Sequence, residues 1–362
     1  MFGLFRTYLA LWVVASHLIE LHFVGHYAVH GFFILSGYLM ALVMNSVYGY
    51  SPRGTATFAL NRLLRLLPSY WVVLALTVAL ILVTGEEVSR TFRESMYIPT
   101  TPRKWLENIT MIYADWMPLR VDPRLSPATW ALTIELFYYG LIGLGLFRWR
   151  TLTWIVFGLS LTYHIVTILM ELSYGTRYAF IPAGALPFSI GGLIYHYRFA
   201  LERWSPDIRL TYILFIPLFA LLPAIAVQLR QAGIDYPASG IFYVNMVLNA
   251  VAVAWLAKPS QRFESSLDRF IGDFSYHIYI SHWMTALFAA HFLLDVSRPK
   301  TSVDGFVLFC AATILCAVLS LGLRTFVDAP VERLRTAAKR RRHRLGATDS
   351  ESGWRVVDTQ KT

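Results

Sequence analysis

Apolar segments long enough to cross a lipid bilayer recur along almost the whole chain. A membrane-spanning helix needs about 20 consecutive, mostly apolar residues. About ten segments meet this requirement, near residues 4–24, 26–48, 64–84, 128–147, 152–171, 178–197, 208–228, 239–257, 270–294 and 303–327. We therefore predict an all-α polytopic membrane protein, a bundle of about ten transmembrane helices. The sixth segment contains Pro182, Pro187 and the pair Gly191–Gly192, so we expect it to be short or broken, as helices that line a cavity often are.

The composition and the distribution of charge agree with a membrane protein. Charged residues make up 15% of the chain and hydrophobic residues 56%, whereas soluble domains are about 25% charged. Much of the net charge of +10 follows the last apolar segment, in Arg333, Arg335, Lys339, Arg340, Arg341, Arg342 and Arg344. Such a basic cluster is typical of the cytoplasmic end of a membrane segment, where it contacts anionic lipid. We therefore expect the lipid bilayer as a partner and no binding of nucleic acid. Residues 1–332 are predicted to form one membrane-embedded domain, and 333–362 a basic, disordered cytoplasmic tail.

The basic residues also predict the orientation of the bundle. If the N-terminus is cytoplasmic, the cytoplasmic loops hold most of the arginines and lysines, and the short outer loops hold only Arg177, Arg230, Arg298 and Lys300. The positive-inside rule then favours cytoplasmic N- and C-termini, and we expect the plasma (inner) membrane. The long outer stretch 85–127 mixes basic, acidic and aromatic residues. We expect it to be a folded loop at the membrane interface and a candidate lid.

The first apolar segment carries Arg6 and His17, which a simple membrane anchor would avoid. A charged side chain at the bilayer centre costs at least about 2.5–3.5 kcal/mol, so function is the first hypothesis. Eleven residues at about 100° each place both side chains on one helix face, about 16 Å apart along the axis. This arrangement suits a long ligand with an anionic head and a reactive far end. The alternative is an arginine that snorkels to the surface and a histidine bonded to a neighbouring helix.

Four motifs follow one another in a recognisable order. They are Arg6-x10-His17 followed by Gly31-Phe-Phe-Ile-Leu-Ser-Gly37, then Arg62-Leu-Leu-Arg65, Trp130-Ala-Leu-Thr-Ile-Glu135-Leu-Phe-Tyr138 and Ser275-Tyr-His-Ile-Tyr279-Ile-Ser-His282. Together they resemble the acyltransferase 3 family, integral-membrane O-acyltransferases of carbohydrates, and the resemblance extends to about Glu332. The chain departs from the family at His30, where an acidic residue is usual, and at Met284, where a proline is usual. The change at His30 puts in doubt any role carried over from the acidic residue.

The strongest candidates for chemistry are His17 and three arginines. An imidazole titrates near neutral pH, so His17 could act as the general base that deprotonates a sugar hydroxyl, and the family's histidine maps onto it. Arg62 and Arg65 share a helix face, and two guanidinium groups suit bidentate phosphate binding. With Arg6 they suggest a site for the phosphates of coenzyme A, which the resemblance supports. The alternative for the arginines is ordinary positive-inside anchoring.

Other polar residues of the motifs have two interpretations each. Glu135 is followed by apolar sequence and needs a partner, either as a catalytic residue or in a structural buried pair. The remaining candidates either line the cavity and the acceptor site or join helices through hydrogen bonds; they are Ser36, Trp130, Tyr276, Tyr279 and His282.

No metal site is predicted from the histidines of the second segment. His22, His26 and His30 recur every four residues, as metal ligands on a helix do. However, Gly25 is expected to break the helix between the first two, and no carboxylate or cysteine completes a ligand set.

These observations predict a membrane acyltransferase. It would move an acyl group, with acetyl favoured, from cytoplasmic acyl-CoA to a hydroxyl of a surface polysaccharide, an exopolysaccharide or a lipid-linked glycan. Acyl-CoA is then a co-substrate, and no permanently bound cofactor is expected. His17 would activate the acceptor or transiently receive the acyl group itself. A transporter or flippase that uses the buried His, Arg and Glu is the alternative, although no repeat pairs the two halves. A non-catalytic scaffold does not explain the polar first segment.

Overall fold

The computed structural model of the protein describes residues 2–21, 23–258, 266–299 and 301–335, without the side chains of 235–239. His22, Lys300 and the tail beyond Arg335 lie outside the described residues, so the prediction of a disordered tail is not addressed. The described secondary structure consists of helices only. The α-helices are α1 (Gly3–Leu18), α2 (Val24–Val43), α3 (Pro52–Thr84), α4 (Glu86–Phe92), α5 (Pro102–Thr110), α6 (Trp130–Gly143), α7 (Arg150–Leu169), α8 (Tyr174–Tyr178), α9 (Ala185–Glu202), α10 (Ile208–Gln231), α11 (Asp235–Leu256), α12 (Ser266–Ala289) and α13 (Val303–Leu323).

Short 3₁₀ and π-helical turns complete the described structure. The 3₁₀ turns are Pro118–Arg120, Pro127–Thr129 and Ile181–Gly184, and the π-helical turns are Met44–Tyr48, Ala290–Leu294 and Arg324–Asp328. The turn at Ile181–Gly184, which contains Pro182, precedes α9, so the sixth apolar segment is interrupted near its start. Each π-helical turn continues the preceding α-helix.

Five helical stretches are long and apolar enough to cross a membrane, which confirms the all-α membrane fold. They are Val24–Tyr48, Pro52–Thr84, Arg150–Leu169, Ile208–Gln231 and Val303–Arg335. Each of the predicted apolar segments coincides with a helix, but about ten crossings and the orientation of the termini stay predictions. The first segment is shorter than predicted because α1 ends at Leu18. The turn to α2 uses the left-handed conformation at Glu20, with φ 55°, and at Phe23, with φ 71°.

Helix α2 lies at the centre of the bundle. Its apolar stretch is 78% buried inside the protein, whereas the other four are between 22% and 39% buried. Close packing of α2 on α9 depends on two glycines. A Cβ atom on Gly37 would lie 2.2 Å from the carbonyl oxygen of Phe188, and one on Gly191 would lie 2.1 Å from that of Ile34. The glycines therefore let the two backbones touch, as small residues do between membrane helices.

The stretch 85–127 is a folded loop, as the sequence predicted. Buried Asn108 donates to the carbonyl of Pro123 at 2.8 Å and accepts from the backbone N–H of Leu125 at 2.9 Å. Buried Arg124 donates to the carbonyls of Leu119 and Val121. These side chains satisfy the hydrogen bonding of backbone groups that no helix or strand pairs. Close by, Ser126 donates to the carbonyl of Ile280 in α12 at 2.8 Å, which fixes the C-terminal end of the loop on that helix.

Candidate active site

Two cavities open inside the bundle and share part of one wall. The arginine cavity has a volume of about 130 Å³. Its polar lining residues are Arg6, Ser36, Arg62, Arg65, Glu135, Tyr139, Ser275, Tyr276 and Tyr279. The histidine cavity has a volume of about 450 Å³. Its polar and aromatic lining residues are Ser16, His17, Phe23, His26, Arg93, Trp130, Tyr178, Arg230 and Tyr279. Val29 and Tyr279 line both cavities, so the two cavities are adjacent at these residues.

The three predicted phosphate-binding arginines come together in the arginine cavity. Arg6 lies in the first turns of α1, and Arg62 and Arg65 lie one turn apart on α3. Gly272 of α12 leaves room for Arg6, because a Cβ atom there would lie 2.6 Å from Arg6 Nη2. Three guanidinium groups around one pocket can bind a polyanion bidentately. The sequence-based grouping of these residues therefore agrees with their placement.

Two of these arginines differ in what holds them. Arg65 forms a long ion pair of 3.8 Å with Asp273, which also pairs with Arg324 at 3.3 Å. The guanidinium of Arg62 lies over the ring of Phe58, 5.8 Å from its centroid. Its Nε is buried and has no hydrogen-bond partner among the described residues. Because a buried donor without a partner is costly, Arg62 is suited to receive an oxyanion.

Glu135 lies in the arginine cavity and not beside His17. It accepts hydrogen bonds from Ser36 Oγ at 2.5 Å and from the hydroxyl of Tyr139. Tyr139 is one turn after Glu135 on α6, and Ser36 comes from α2, so the cluster joins two helices. The sequence motif ended at Tyr138 and missed Tyr139, although its i+4 spacing from Glu135 on one helix face was a usable signal.

The two motif tyrosines of α12 both line a cavity and join helices. The Tyr276 hydroxyl donates to the carbonyl of Leu66 at 2.7 Å, and the Tyr279 hydroxyl donates to the carbonyl of Ala128 at 2.9 Å. Tyr276 faces the arginine cavity, whereas Tyr279 faces both cavities. The two interpretations of these residues are therefore compatible.

His17 lies in the last turn of α1 at the wall of the histidine cavity, and it is half-buried. Its ring stacks on His282, with 5.4 Å between centroids and 6° between planes, and lies 5.1 Å from the ring of Trp283. His282 is completely buried behind His17 and lines neither cavity. Its Nδ1 lies 2.9 Å from the carbonyl of Tyr279. A carbonyl oxygen only accepts, so this geometry assigns the proton to Nδ1.

Glu20 is exposed and lies beyond the end of α1, so it shares no helix face with His17.

Trp130, predicted to line the acceptor site, forms a wall of the histidine cavity together with Tyr178, and their ring centroids are 5.1 Å apart. The predicted acceptor-lining set is thus divided. Trp130 belongs to the histidine cavity, Ser36 and Tyr276 to the arginine cavity, and Tyr279 to both.

Two further arginines reach the histidine cavity and were missed by the sequence analysis. Arg93, from the loop 85–127, lies over Trp283 at 5.1 Å, and Arg230, from the last turn of α10, lies over Phe23 at 4.4 Å. Burial lowers the pKa of Arg93, an effect that the nearby carboxylates of Asp122 and Glu94 oppose, but a guanidinium stays charged at neutral pH. Both were counted as outer-loop charges, and such a count does not indicate where a side chain points.

The histidines of α2 have separate surroundings. His26 lines the histidine cavity. His30, one turn on, is buried among Phe33, Tyr178 and Phe242, and its Nδ1 lies 3.1 Å from the carbonyl of His26. His22 lies outside the described residues. Among the residues that are described, no group of three or more His, Cys, Asp or Glu side chains could hold a metal ion.

A comparison with protein families found a match over most of the chain. A family model described as an acyltransferase domain matches residues 2–322. The match includes every residue named above for the two cavities and ends near the C-terminal end of α13. No curated protein and no solved structure matched the chain.

Proposed function

Because the chain belongs to the acyltransferase 3 family and is therefore a membrane acyltransferase, we propose that it moves an acyl group, acetyl first of all, from acyl-CoA to a hydroxyl of a carbohydrate. The observation that carries the proposal is the pair of adjacent cavities that share Val29 and Tyr279 as lining residues. One cavity collects arginines and the other contains a histidine. The donor binds in the first, the acceptor in the second, and the acyl group crosses where they meet.

The phosphate groups of the donor bind at the arginine cavity. Arg6, Arg62 and Arg65 bind its phosphates, because guanidinium forks match phosphate oxygens. The rise of α1 separates Arg6 from His17 by about 16 Å along the axis, which an extended pantetheine arm can follow. This route brings the thioester past Tyr279 to His17.

Glu135 acts on the donor side in this proposal. Its carboxylate accepts from Ser36 and Tyr139 and lies in the cavity with the three arginines. It balances part of their charge and can accept a hydrogen bond from an amide N–H of the pantetheine arm. Its proposed part in catalysis is to position the thioester.

The acceptor occupies the histidine cavity, with Trp130 and Tyr178 as aromatic walls. His17 takes the proton of the acceptor hydroxyl while the hydroxyl oxygen attacks the thioester carbon. The carbon–sulfur bond then breaks, the thiolate of coenzyme A leaves, and the proton passes to that sulfur. In the alternative route His17 attacks the thioester carbon first, the carbon–sulfur bond breaks and coenzyme A leaves as the thiol with the imidazole proton. In a second step the acceptor hydroxyl oxygen attacks the acyl carbon, the bond to the imidazole breaks, and the hydroxyl proton passes to the imidazole.

The membrane setting completes the proposal. We place the protein in the plasma membrane, with about ten crossings and both termini cytoplasmic, because this orientation puts most basic loops inside. The arginine cavity, at the N-terminal end of α1, then faces the cytoplasm, which contains acyl-CoA. The histidine cavity lies on the side of the loop 85–127, where an extracytoplasmic polysaccharide or lipid-linked glycan is available.

A donor assay tests this function without knowledge of the acceptor. The protein, purified in detergent, is titrated with acetyl-CoA by calorimetry and then incubated with radiolabelled acetyl-CoA to measure slow release of acetate. We expect saturable binding of acetyl-CoA and release of label above that of a mock preparation. A transporter or flippase that does not use this donor predicts neither. Absence of acetyl-CoA binding by folded protein contradicts the proposal.

A further inference from the structure

The histidine cavity is lined by an unusual excess of cationic and basic side chains. Arg93 and Arg230 come from different parts of the chain, and His17 and His26 line the same space. No aspartate or glutamate is among the described residues that line it. Its volume of about 450 Å³ falls within the range of about 300–1,000 Å³ of ligand sites. A neutral sugar needs no such charge, because aromatic walls and hydroxyl-bonding groups suffice to bind it.

Arg93 points into the protein, although it belongs to an outer loop. It is half-buried, and its Nε has no hydrogen-bond partner among the described residues. Its guanidinium lies 5.1 Å from the ring of Trp283, and the ring of His17 lies 5.1 Å from the same indole. A surface arginine normally keeps its charged end in water. Here the charged end is held beside the proposed general base.

The carboxylates near Arg93 are held elsewhere or lie outside the cavity. Asp122 pairs with Arg124, with 3.1 Å between Oδ1 and Nη1. Glu94 is exposed and does not line the cavity. Taking a guanidinium out of water is expensive unless an anion compensates for it. An anionic ligand in the cavity would supply that compensation.

Arg230 provides a second charge from another element. It lies in the last turn of α10, and its guanidinium is 4.4 Å from the ring of Phe23, at the start of α2. Phe23 has a left-handed backbone with φ 71°, and its ring also lines the cavity. Two arginines from two elements, both placed over aromatic rings, therefore converge on the space that contains His17.

We propose that the histidine cavity contains an anion-binding subsite, formed by Arg93 and Arg230, and that the acceptor is an anionic glycan. A carboxylate or phosphate oxygen of the acceptor binds the two arginines, and a hydroxyl of the same or the adjoining sugar lies at His17. This inference rests on the proposed function, and it adds the substrate class. The anion anchors the acceptor, whereas the aromatic walls orient its ring.

The test compares three probes with one sugar ring and different charge. Methyl glucoside is neutral, methyl glucuronoside carries a carboxylate, and glucose 1-phosphate carries a phosphate. Each is titrated into the purified full-length protein in the presence of coenzyme A, and the dissociation constant is measured. We expect at least one anionic probe to bind about tenfold or more tightly than methyl glucoside, and the stronger of the two identifies the source of the anion.

Variants of the two arginines connect this preference to the subsite. Arg93→Gln and Arg230→Gln should each reduce the preference at least about fivefold, whereas Arg93→Lys, which keeps the charge, should retain part of it. Arg120→Gln is the matched control, because Arg120 is exposed on the same loop and does not line the cavity. If Arg93 only held the loop to Trp283, Arg93→Gln would lower the melting temperature and leave the preference unchanged.

The results separate this inference from the proposed function. If the wild-type protein binds acetyl-CoA but neither anionic probe binds more tightly than methyl glucoside, the anion subsite is refuted and the acyltransferase proposal survives. The same conclusion follows if both glutamine variants keep the full preference. If acetyl-CoA does not bind at all, the proposed function is refuted, and the inference that rests on it is refuted as well.

Discussion

At the scale of single residues, the ring of His17 is confined by two buried aromatic groups. His282 stacks on it almost in parallel, and Trp283 lies 5.1 Å away. These neighbours limit the rotation of the imidazole and leave its exposed edge toward the cavity. If His17 is the base that we propose, it is positioned for proton transfer before the acceptor binds, and such preorganisation reduces the entropic cost of reaching the transition state.

The role of His17 can be tested by substitution. His17→Gln should lower acyl transfer, or release of acetate where no acceptor is added, by about 10²–10⁴-fold, the usual contribution of a general base. Binding of acetyl-CoA should persist, because the arginines proposed to bind its phosphates line the other cavity. His291→Gln is the control, since His291 is exposed. Turnover above about a tenth of the wild-type rate would exclude His17 as the base.

The arginines of α3 can be tested with lysine substitutions, which keep the charge and change the shape of the side chain. Replacing Arg62 and Arg65 with lysine keeps two positive charges but removes the planar fork. We expect the KM for acetyl-CoA to rise about tenfold or more, with kcat much less affected, because the lost contacts bind ground state and transition state alike. Kinetics over a range of acetyl-CoA concentrations measure this split.

The control for this pair is Arg53→Lys, because Arg53 is exposed near the start of the same helix and lines neither cavity. It should leave KM unchanged. If the double variant has the wild-type KM and inserts normally, the arginines anchor the helix and the phosphates bind elsewhere.

At the scale of elements, α1 and α2 supply different residues to the two cavities. Helix α1 carries Arg6 at one end and His17 at the other, so that one rigid element sets their separation. Helix α2 contributes Ser36 to one cavity, His26 to the other and Val29 to both. It can do so because it is buried on most of its surface, with α9 held against it through Gly37 and Gly191.

The packing of α2 on α9 predicts a large effect for a small substitution. In Gly37→Ala the new methyl group would meet the carbonyl oxygen of Phe188 at 2.2 Å, so the backbones must separate. Overpacking of this kind costs about 1–3 kcal/mol, and we expect a lower melting temperature in detergent and reduced acetyl-CoA binding.

The matched control is Gly158→Ala on α7, where a Cβ atom would have no neighbour within 4 Å. That change should be neutral or slightly stabilising, because alanine favours a helix by about 1 kcal/mol over glycine. Equal melting temperatures for the two variants would show that the close contact between α2 and α9 is not required.

At the scale of the whole molecule, the function depends on which side of the membrane each cavity faces. If the donor is acyl-CoA bound at the arginine cavity, as we propose, that cavity opens to the cytoplasm. With both termini cytoplasmic, a reporter enzyme fused after Thr362 should be active only in the cytoplasm. One inserted near Thr101, in the loop 85–127, should be active only outside.

Alkaline phosphatase, which is active only after export, and a fluorescent protein, which is active only inside, provide opposite readouts for each position. Each fusion is compared with an unfused chain for the level of expression. The same side for both positions would refute an odd number of crossings between Thr101 and the C-terminus, and with it the proposed division of donor and acceptor between two faces of the membrane.

Local physical rules determined much of this protein from its sequence alone. The apolar segments predicted helices because segment length and hydropathy are properties of neighbouring residues. The shared face of Arg6 and His17 followed from the helical period. The grouping of Arg62 with Arg65 followed from their spacing, and the folded loop 85–127 from its mixed composition. In the helical cases the relevant partners lie a few turns apart on a single helix.

The tertiary structure decided which residues meet across the bundle. It separated Glu135 from His17, placed His282 behind His17 and not at a cavity wall, and brought Arg93 and Arg230 to the proposed acceptor site. These contacts join residues far apart in the chain. They depend on the orientation of each helix about its own axis and on how the helices pack. Helix periodicity determines which residues share a face, but only the packing of the neighbouring helices determines what that face meets.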